Sequence, residues 1–159
     1  LLATGFKVWD KGAAPPFEVI GKNKTELGEF WNTQRFQAYE GISIPNFPNL
    51  FYLPAPFSFT GLSYFSSIEG HMKHIERCLK EMKKQKAKSF EIRKEANDAF
   101  LEDMRSRMAS TMFMSGNCGS SNSYYFNQHG EALFLRPTPT FVSLHRAATY
   151  PLTDYQFKA

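Results

Sequence analysis

The chain has 159 residues, a formal net charge of +4, sixteen Phe, nine Pro and ten Gly. One domain that buries roughly two-thirds of its unfolded surface is expected, and the composition favours aromatic cores joined by irregular loops over a plain helical bundle. No run reaches the roughly eighteen apolar residues of a membrane-spanning helix, and the N-terminus lacks the basic-then-apolar order of a signal peptide. The expectation is therefore a soluble, cytoplasmic protein with no integral membrane segment.

The apolar run from Leu1 to Phe6 reads as the end of a β-strand, as though the chain began inside a larger fold. Gly12, Pro15, Pro16, Gly21, Gly28, Gly41 and Pro45 break the stretch from Lys7 to Pro48, which predicts an extended excursion with at most short strands such as Phe17 to Ile20. Asn49 to Leu53, bounded by Pro48 and Pro54, has the length and apolarity of a buried strand. Beyond the loop Pro54 to Gly61, apolar residues fall at Phe65, Ile68, Met72, Ile75, Leu79 and Met82. Those alternating gaps of three and four predict one buried stripe of an amphipathic helix, capped by Ser63. Gly70 inside it costs about 1 kcal/mol relative to Ala.

A second helix is expected after Ser89, with Glu91 in its first turn, continuing through Phe100, Met104, Met108 and Met112. Its methionines read as core filling. A polar loop follows from Ser115 to Ser123, then short β-like pieces at Tyr124 to Phe126, Ala132 to Leu135 and Phe141 to Leu144. The fold class on this reading is α+β as a fragment. Three stretches divide the single unit: 1–48, the opening strand and irregular excursion; 49–88, strand, loop and helix; and 89–159, a helix with a β and loop region.

Basic residues outnumber acidic ones from His71 to Lys94. No base-reading motif or interleaved stacking aromatics accompany them, so a solvated helix face is favoured and no nucleic-acid partner is expected. His71 and His74 with Glu69 lack zincin order and a third ligand, so no metal site is assigned. Cys78 and Cys118 form no disulfide framework. His129 and His145 lack a nucleophile elbow, and the loop from Gly116 to Ser123 lacks both phosphate-loop and dinucleotide fingerprints. What remains is the strand, loop and helix from Leu50 to Met82, whose helix N-terminus can meet an anion or a polar ring edge.

Ala3-Thr4-Gly5-Phe6, Tyr39-x-Gly41, Phe47-Pro48-Asn49-Leu50-Phe51 and Ser67-Ile68-Glu69-x-His71 together resemble the C-terminal third of the class B flavin monooxygenases. That group comprises the Baeyer–Villiger monooxygenases and the flavin-containing monooxygenases. The resemblance implies the C-terminal part of an α/β flavoprotein with two dinucleotide-binding domains. Its cofactors would be FAD and NADP, and its chemistry oxygen insertion into a small apolar ketone, sulfide or amine through a C4a-peroxyflavin. It also implies that Gly61, Leu62, Ser63 and Tyr64 bind the flavin, beneath Phe57 and Phe59, which keep water away.

This chain departs from the family pattern at Pro54-Ala55-Pro56, where Gly-Pro is frequent. It departs again at Ser121-Asn122-Ser123, where relatives carry the Ser-Trp-Tyr element associated with the nicotinamide cofactor. Both glycine-rich fingerprints and the catalytic arginine lie upstream in the family and are absent here. No catalytic residue is assigned, the missing N-terminal portion is the expected partner, and the polypeptide alone is expected to be inactive. The alternative is a non-catalytic α+β module that forms a homo-oligomer or binds an apolar ligand.

Overall fold

The computed structural model describes residues 15–53, 55–114 and 125–159. The expected strand ending Ala3-Thr4-Gly5-Phe6, Cys118 and the polar loop Ser115 to Ser123 lie outside them. In chain order the elements are α1 (Leu27–Gln34), α2 (Tyr64–Lys84), β1 (Ser89–Ile92), α3 (Lys94–Ala109), α4 (Thr140–Thr149) and β2 (Tyr155–Lys158). The class is α+β, with a two-stranded antiparallel sheet that pairs Ser89 with Lys158 and Ile92 with Tyr155.

Helix α1 falls inside the stretch expected to be an extended excursion. It forms because the Glu26 carboxylate accepts the Gly28 and Glu29 N–H groups at 2.9 and 2.7 Å, satisfying donors that helix geometry leaves open and placing negative charge at the positive end of the dipole. Its Trp31 is wholly buried, stacks on Phe36 with centroids 5.2 Å apart and donates its indole N–H to the Gln37 carbonyl at 3.0 Å. The expected strand Asn49 to Leu53 is reduced to one bridge, Ser43 to Phe51. Asn49 takes a positive φ of 60° and locks onto β1 instead, donating its backbone N–H to Phe90 O and accepting from Phe90 N. Leu50, Phe51 and Tyr52 are consequently only half-buried.

Two further expectations fail for the same kind of reason. Ser89 to Ile92 alternates half-buried and buried positions, the period of a strand, and pairs with the chain's last residues, so the second helix begins at Lys94 and Glu91 lies in β1. Phe141 to Leu144 is helical rather than β-like, because the backbone turns at Pro139 and α4 can lay Leu144 and Ala147 against Gly70 of α2. Among the methionines, Met104 and Met108 fill the core as expected, whereas Met112 is 77% exposed.

Helix α2 starts where predicted, with Ser63 accepting the Ser66 N–H. The predicted stripe is buried only in part: Ile75 is buried and Ile68 and Met82 half-buried, and the face turned to the core is rotated away from the rest of it. Ser67, Gly70, His71, His74, Ile75 and Cys78 turn inward, whereas Phe65, Met72 and Leu79 are 77, 51 and 46% exposed. Close approach decides this: a Cβ on Gly70 would sit 3.0 Å from Leu144 Cδ2, so small and slender side chains line the crossing with α4.

The core joins these pieces around Tyr39, whose ring meets those of Phe100, Tyr150 and Tyr155 edge-on at 5.6 to 6.2 Å. Tyr39 also donates its hydroxyl to Asp154, tying the middle of the chain to the turn before β2.

Candidate functional site

The loop from Ala55 to Thr60 delivers the chain to the expected site, and it is held by backbone pairing. Phe57 N–H donates to Leu133 O at 2.7 Å, Phe59 N–H to Phe134 O at 3.3 Å, and Arg136 N–H to Phe59 O at 2.7 Å. Of the expected β pieces, Ala132 to Leu135 thus serves as a lateral strap, bridged in parallel to Phe59, and Phe126 bridges Ala132. From the other side Gly41 presses on the loop. Its φ is +78°, and a Cβ there would lie 2.6 Å from Ser58 Cα. Gly41→Ala should therefore lose about 1–3 kcal/mol of stability from strain at this one position, read from urea unfolding; an unchanged midpoint would show that the turn relaxes freely.

Beneath the loop lies a buried ionic cluster. Glu40 is fully buried, and its carboxylate accepts from Arg136, whose side chain is 1% exposed, and from Arg146 at 2.5 Å. Burial by itself would weaken the protonated form of Arg136, but the adjacent Glu40 charge outweighs it and raises the pKa. The guanidinium lies 5.3 Å from the Phe100 ring centroid and donates to Thr138 Oγ1, which shares a 2.8 Å hydrogen bond with Ser143. Arg136 therefore fastens the strap, the loop and α4 to one carboxylate.

Gly61, Leu62, Ser63 and Tyr64 stand together at the outer end of this framework. Gly61 has φ +86° with open space around its Cα, Leu62 is 79% exposed, and Ser63 caps α2. Tyr64 lies against Phe59 at 6.3 Å, and Phe59 against Phe134 at 5.2 Å. Tyr64, Phe59 and Phe134 thus form an aromatic row beside the four residues, while Phe57, buried at 2% exposure, turns its ring to Phe100 at 6.3 Å. Behind them, a cavity of about 10 Å³ among Ser58, Ser67, His71, Arg136 and Thr140 has room for about one water and none for a flavin ring. The residues accordingly fit one wall of a ring site: an open helix N-terminus with an aromatic row beside it, facing outward.

His71 and His74 are both buried, whereas Glu69 is exposed on another face of α2. Burial, reinforced by the Arg136 charge, lowers the His71 pKa to about 4. Burial followed by the charges of Arg77 and His71 lowers that of His74 to about 3. The His74 Nε2 lies 2.9 Å from Tyr155 OH, itself 2.9 Å from Ser43 Oγ, while Arg77 approaches Nδ1 at 3.5 Å. Arg77 carries only donors, so Nδ1 accepts and the ring proton sits on Nε2. These histidines are structural, and Cys78, a buried free thiol pushed up to about 12 chiefly by burial, is inert beside them. Among the described residues no three His, Cys, Asp or Glu side chains gather as a metal-binding group. No helix among them is long and apolar enough to cross a membrane.

Sequence reasoning missed Glu40, Arg136 and Arg146. The only trace of them was the unspecified middle position of Tyr39-x-Gly41, which is Glu40 itself. The partners lie 96 and 106 positions away, beyond the reach of any local pattern.

No family model matches the chain. It is 28% identical over 123 residues to a Baeyer-Villiger monooxygenase of Pseudomonas aeruginosa, covering 76% of this chain and 22% of that protein. It is 25% identical over 131 residues to an uncharacterized monooxygenase of Mycobacterium tuberculosis, covering 82% and 25%. Among solved structures, an oxidized steroid monooxygenase bound to NADP matches with a TM-score of 0.76 at 21% identity, over 93% of this chain and 27% of that one. OTEMO in complex with FAD and NADP matches with a TM-score of 0.76 at 14% identity, over 92% and 27%. The chain is thus similar in sequence to Baeyer-Villiger monooxygenases, shares the fold of part of them, and spans about a quarter of their length.

Proposed function

We propose that this chain is the C-terminal portion of the FAD-binding domain of a flavin-dependent Baeyer–Villiger-type monooxygenase, and that the parent uses NADPH and O2 to insert one oxygen into a small apolar ketone, sulfide or amine. The observation that carries this reading is the fit of nearly the whole chain, 92 to 93%, to about a quarter of enzymes solved with NADP or with FAD and NADP. In the parent the flavin would supply the oxygen-activating chemistry.

The residues of this chain would bind and shield. Gly61 to Tyr64 would hold the ring edge at the α2 N-terminus, where the helix dipole favours negative charge. Phe57 and Phe59 would exclude water below it. No side chain here is assigned an acid or base role, and without the rest of the cradle the polypeptide would be inactive. A reducing, cytosolic setting belongs to the same proposal, supported by the buried free thiol of Cys78.

The exposed Phe65, Met72 and Leu79 give some support to a second reading, a self-associating module without catalysis. Absorbance separates the two. The chain produced alone should be colourless, and a polypeptide extended through the coding sequence upstream of Leu1 should carry near-stoichiometric FAD and oxidise NADPH faster with an added cyclic ketone or sulfide. A colourless extended polypeptide with no NADPH oxidation would overturn the monooxygenase reading.

A further inference from the structure

The loop from Ala55 to Thr60 is fastened along one side through its backbone, by the hydrogen bonds of Phe57 and Phe59 to the strap. Between those two residues Ser58 is buried, and its hydroxyl meets no hydrogen-bond partner among the described residues. A buried hydroxyl left alone is a cost that folded proteins seldom leave unmet. Ser58 lines the cavity of about 10 Å³ that it shares with Ser67, His71, Arg136 and Thr140. The walls of that cavity are polar, and their protons can be counted. His71 is buried, makes no hydrogen bond to a protein group among the described residues and, with its pKa held at about 4, is neutral at pH 7. Its ring therefore offers one donor and one acceptor. Ser67 donates its proton to Ser63 O at 3.2 Å and keeps its lone pairs. Thr60 and Thr140 share one proton across 2.7 Å, so one of the two hydroxyls still has a proton to give. The nearby charge is already matched, since Arg136 is paired with Glu40. What fits is a neutral species of one heavy atom that both donates and accepts, in the volume of about one water-sized sphere.

We propose that this cavity is a binding site for a single water, held by the Ser58 hydroxyl and a His71 ring nitrogen, and that this water ties the loop to α2. The strap then holds the loop from one side through its backbone, and the water holds it from the other through Ser58. Gly61 to Tyr64, which follow directly, take their position from both. The water site needs only the chain's own geometry; its effect on a flavin ring edge rests on the proposed function, in which Ser58 and His71 would be positioning residues.

The test uses the polypeptide extended through the coding sequence upstream of Leu1. Its crystal structure, at a resolution that shows waters, should place one water oxygen about 2.7–3.2 Å from both Ser58 Oγ and a His71 ring nitrogen. Ser58→Ala tests the site by sign: removing a hydroxyl that holds a water should lower the thermal midpoint, whereas removing one that bonds nothing should raise it. His71→Leu should lower the midpoint as well, while His71→Gln, which keeps a donor and an acceptor, should stay closer to the unaltered protein. Flavin fluorescence should show Ser58→Ala and His71→Leu each weakening FAD binding about fivefold, the worth of one hydrogen bond, with His71→Gln retaining the affinity. No water between the two side chains, or a midpoint raised by Ser58→Ala, would overturn the site. Lowered midpoints with FAD affinity unchanged in both variants would overturn the positioning role. If the unaltered polypeptide holds the water and takes up no FAD, the site stands and the monooxygenase reading fails.

Discussion

Glu40→Gln should lower the free energy of unfolding by about 3–5 kcal/mol, the usual cost of stranding one partner of a buried ion pair. The substitution keeps shape and the positive backbone φ of 51°, so the loss reports charge rather than packing. Arg136 is then left with its guanidinium at 1% exposure and no counter-charge. Arg146, with 37% of its side chain exposed, can re-solvate, so Arg146→Ala should cost no more than about 1 kcal/mol. A double-mutant cycle makes the point sharper. Glu40→Gln combined with Arg136→Met should recover a substantial part of the single-mutant loss, because a site with neither charge has nothing uncompensated. Urea unfolding of the four proteins measures this, and a Glu40→Gln loss below about 1 kcal/mol would show that water reaches Arg136. Loosening of the strap has a local signature too: amide exchange at Phe57 and Phe59 should speed more than exchange in α3, since their hydrogen bonds run to the segment that Arg136 fastens.

What could be seen in the amino-acid pattern and what could not divides along contact distance. Helix α2 and its Ser63 cap were legible because periodicity and capping are local properties. Which side of α2 faces the chain's own core was not. Periodicity predicts the whole apolar stripe to be buried, but the crossing with α4 selects Ser67, Gly70, His71 and His74 for their size, so Ile68, Ile75 and Met82 reach the core side while Phe65, Met72 and Leu79 look outward. An apolar stripe tells that a face is to be covered, not by which part of the protein. The β1 segment shows the same limit on a smaller scale, since Phe90 and Ile92 fit helical spacing with Ala96 as readily as strand alternation until Phe157 and Tyr155 arrive from the C-terminus. The Glu40 cluster is the extreme case, assembled from charges about a hundred positions apart. At the expected site, Gly61, Leu62, Ser63 and Tyr64 do come together at one exposed helix end, while the ionic frame that holds that end in place left no local signature.

Acid should unfold this chain early, and two histidines should account for much of the slope. In the unfolded chain His71 and His74 titrate near about 6.5; in the folded protein burial and neighbouring cations hold them at about 4 and about 3. The native state therefore binds fewer protons than the unfolded one across that interval, and stability rises with pH through it. The contribution is fully present above about pH 6.5 and is lost as pH falls through about 4 and about 3. Each histidine should add up to about 1.4 kcal/mol per pH unit to the slope, at most about 6 kcal/mol for the two together by pH 4. Structure explains why the His74 ring resists a second proton in place. His74 Nδ1 faces Arg77, its Nε2 already serves Tyr155, and the Tyr150 ring stands edge-on at 4.9 Å. Urea unfolding at half-unit steps from pH 7 to pH 4 would measure the slope. His71→Asn and His74→Gln will each lower stability at neutral pH, but the decisive quantity is the slope, which each should flatten by about one proton. A slope unchanged in both variants would place the acid sensitivity in carboxylates elsewhere and leave these rings free to protonate in the folded protein.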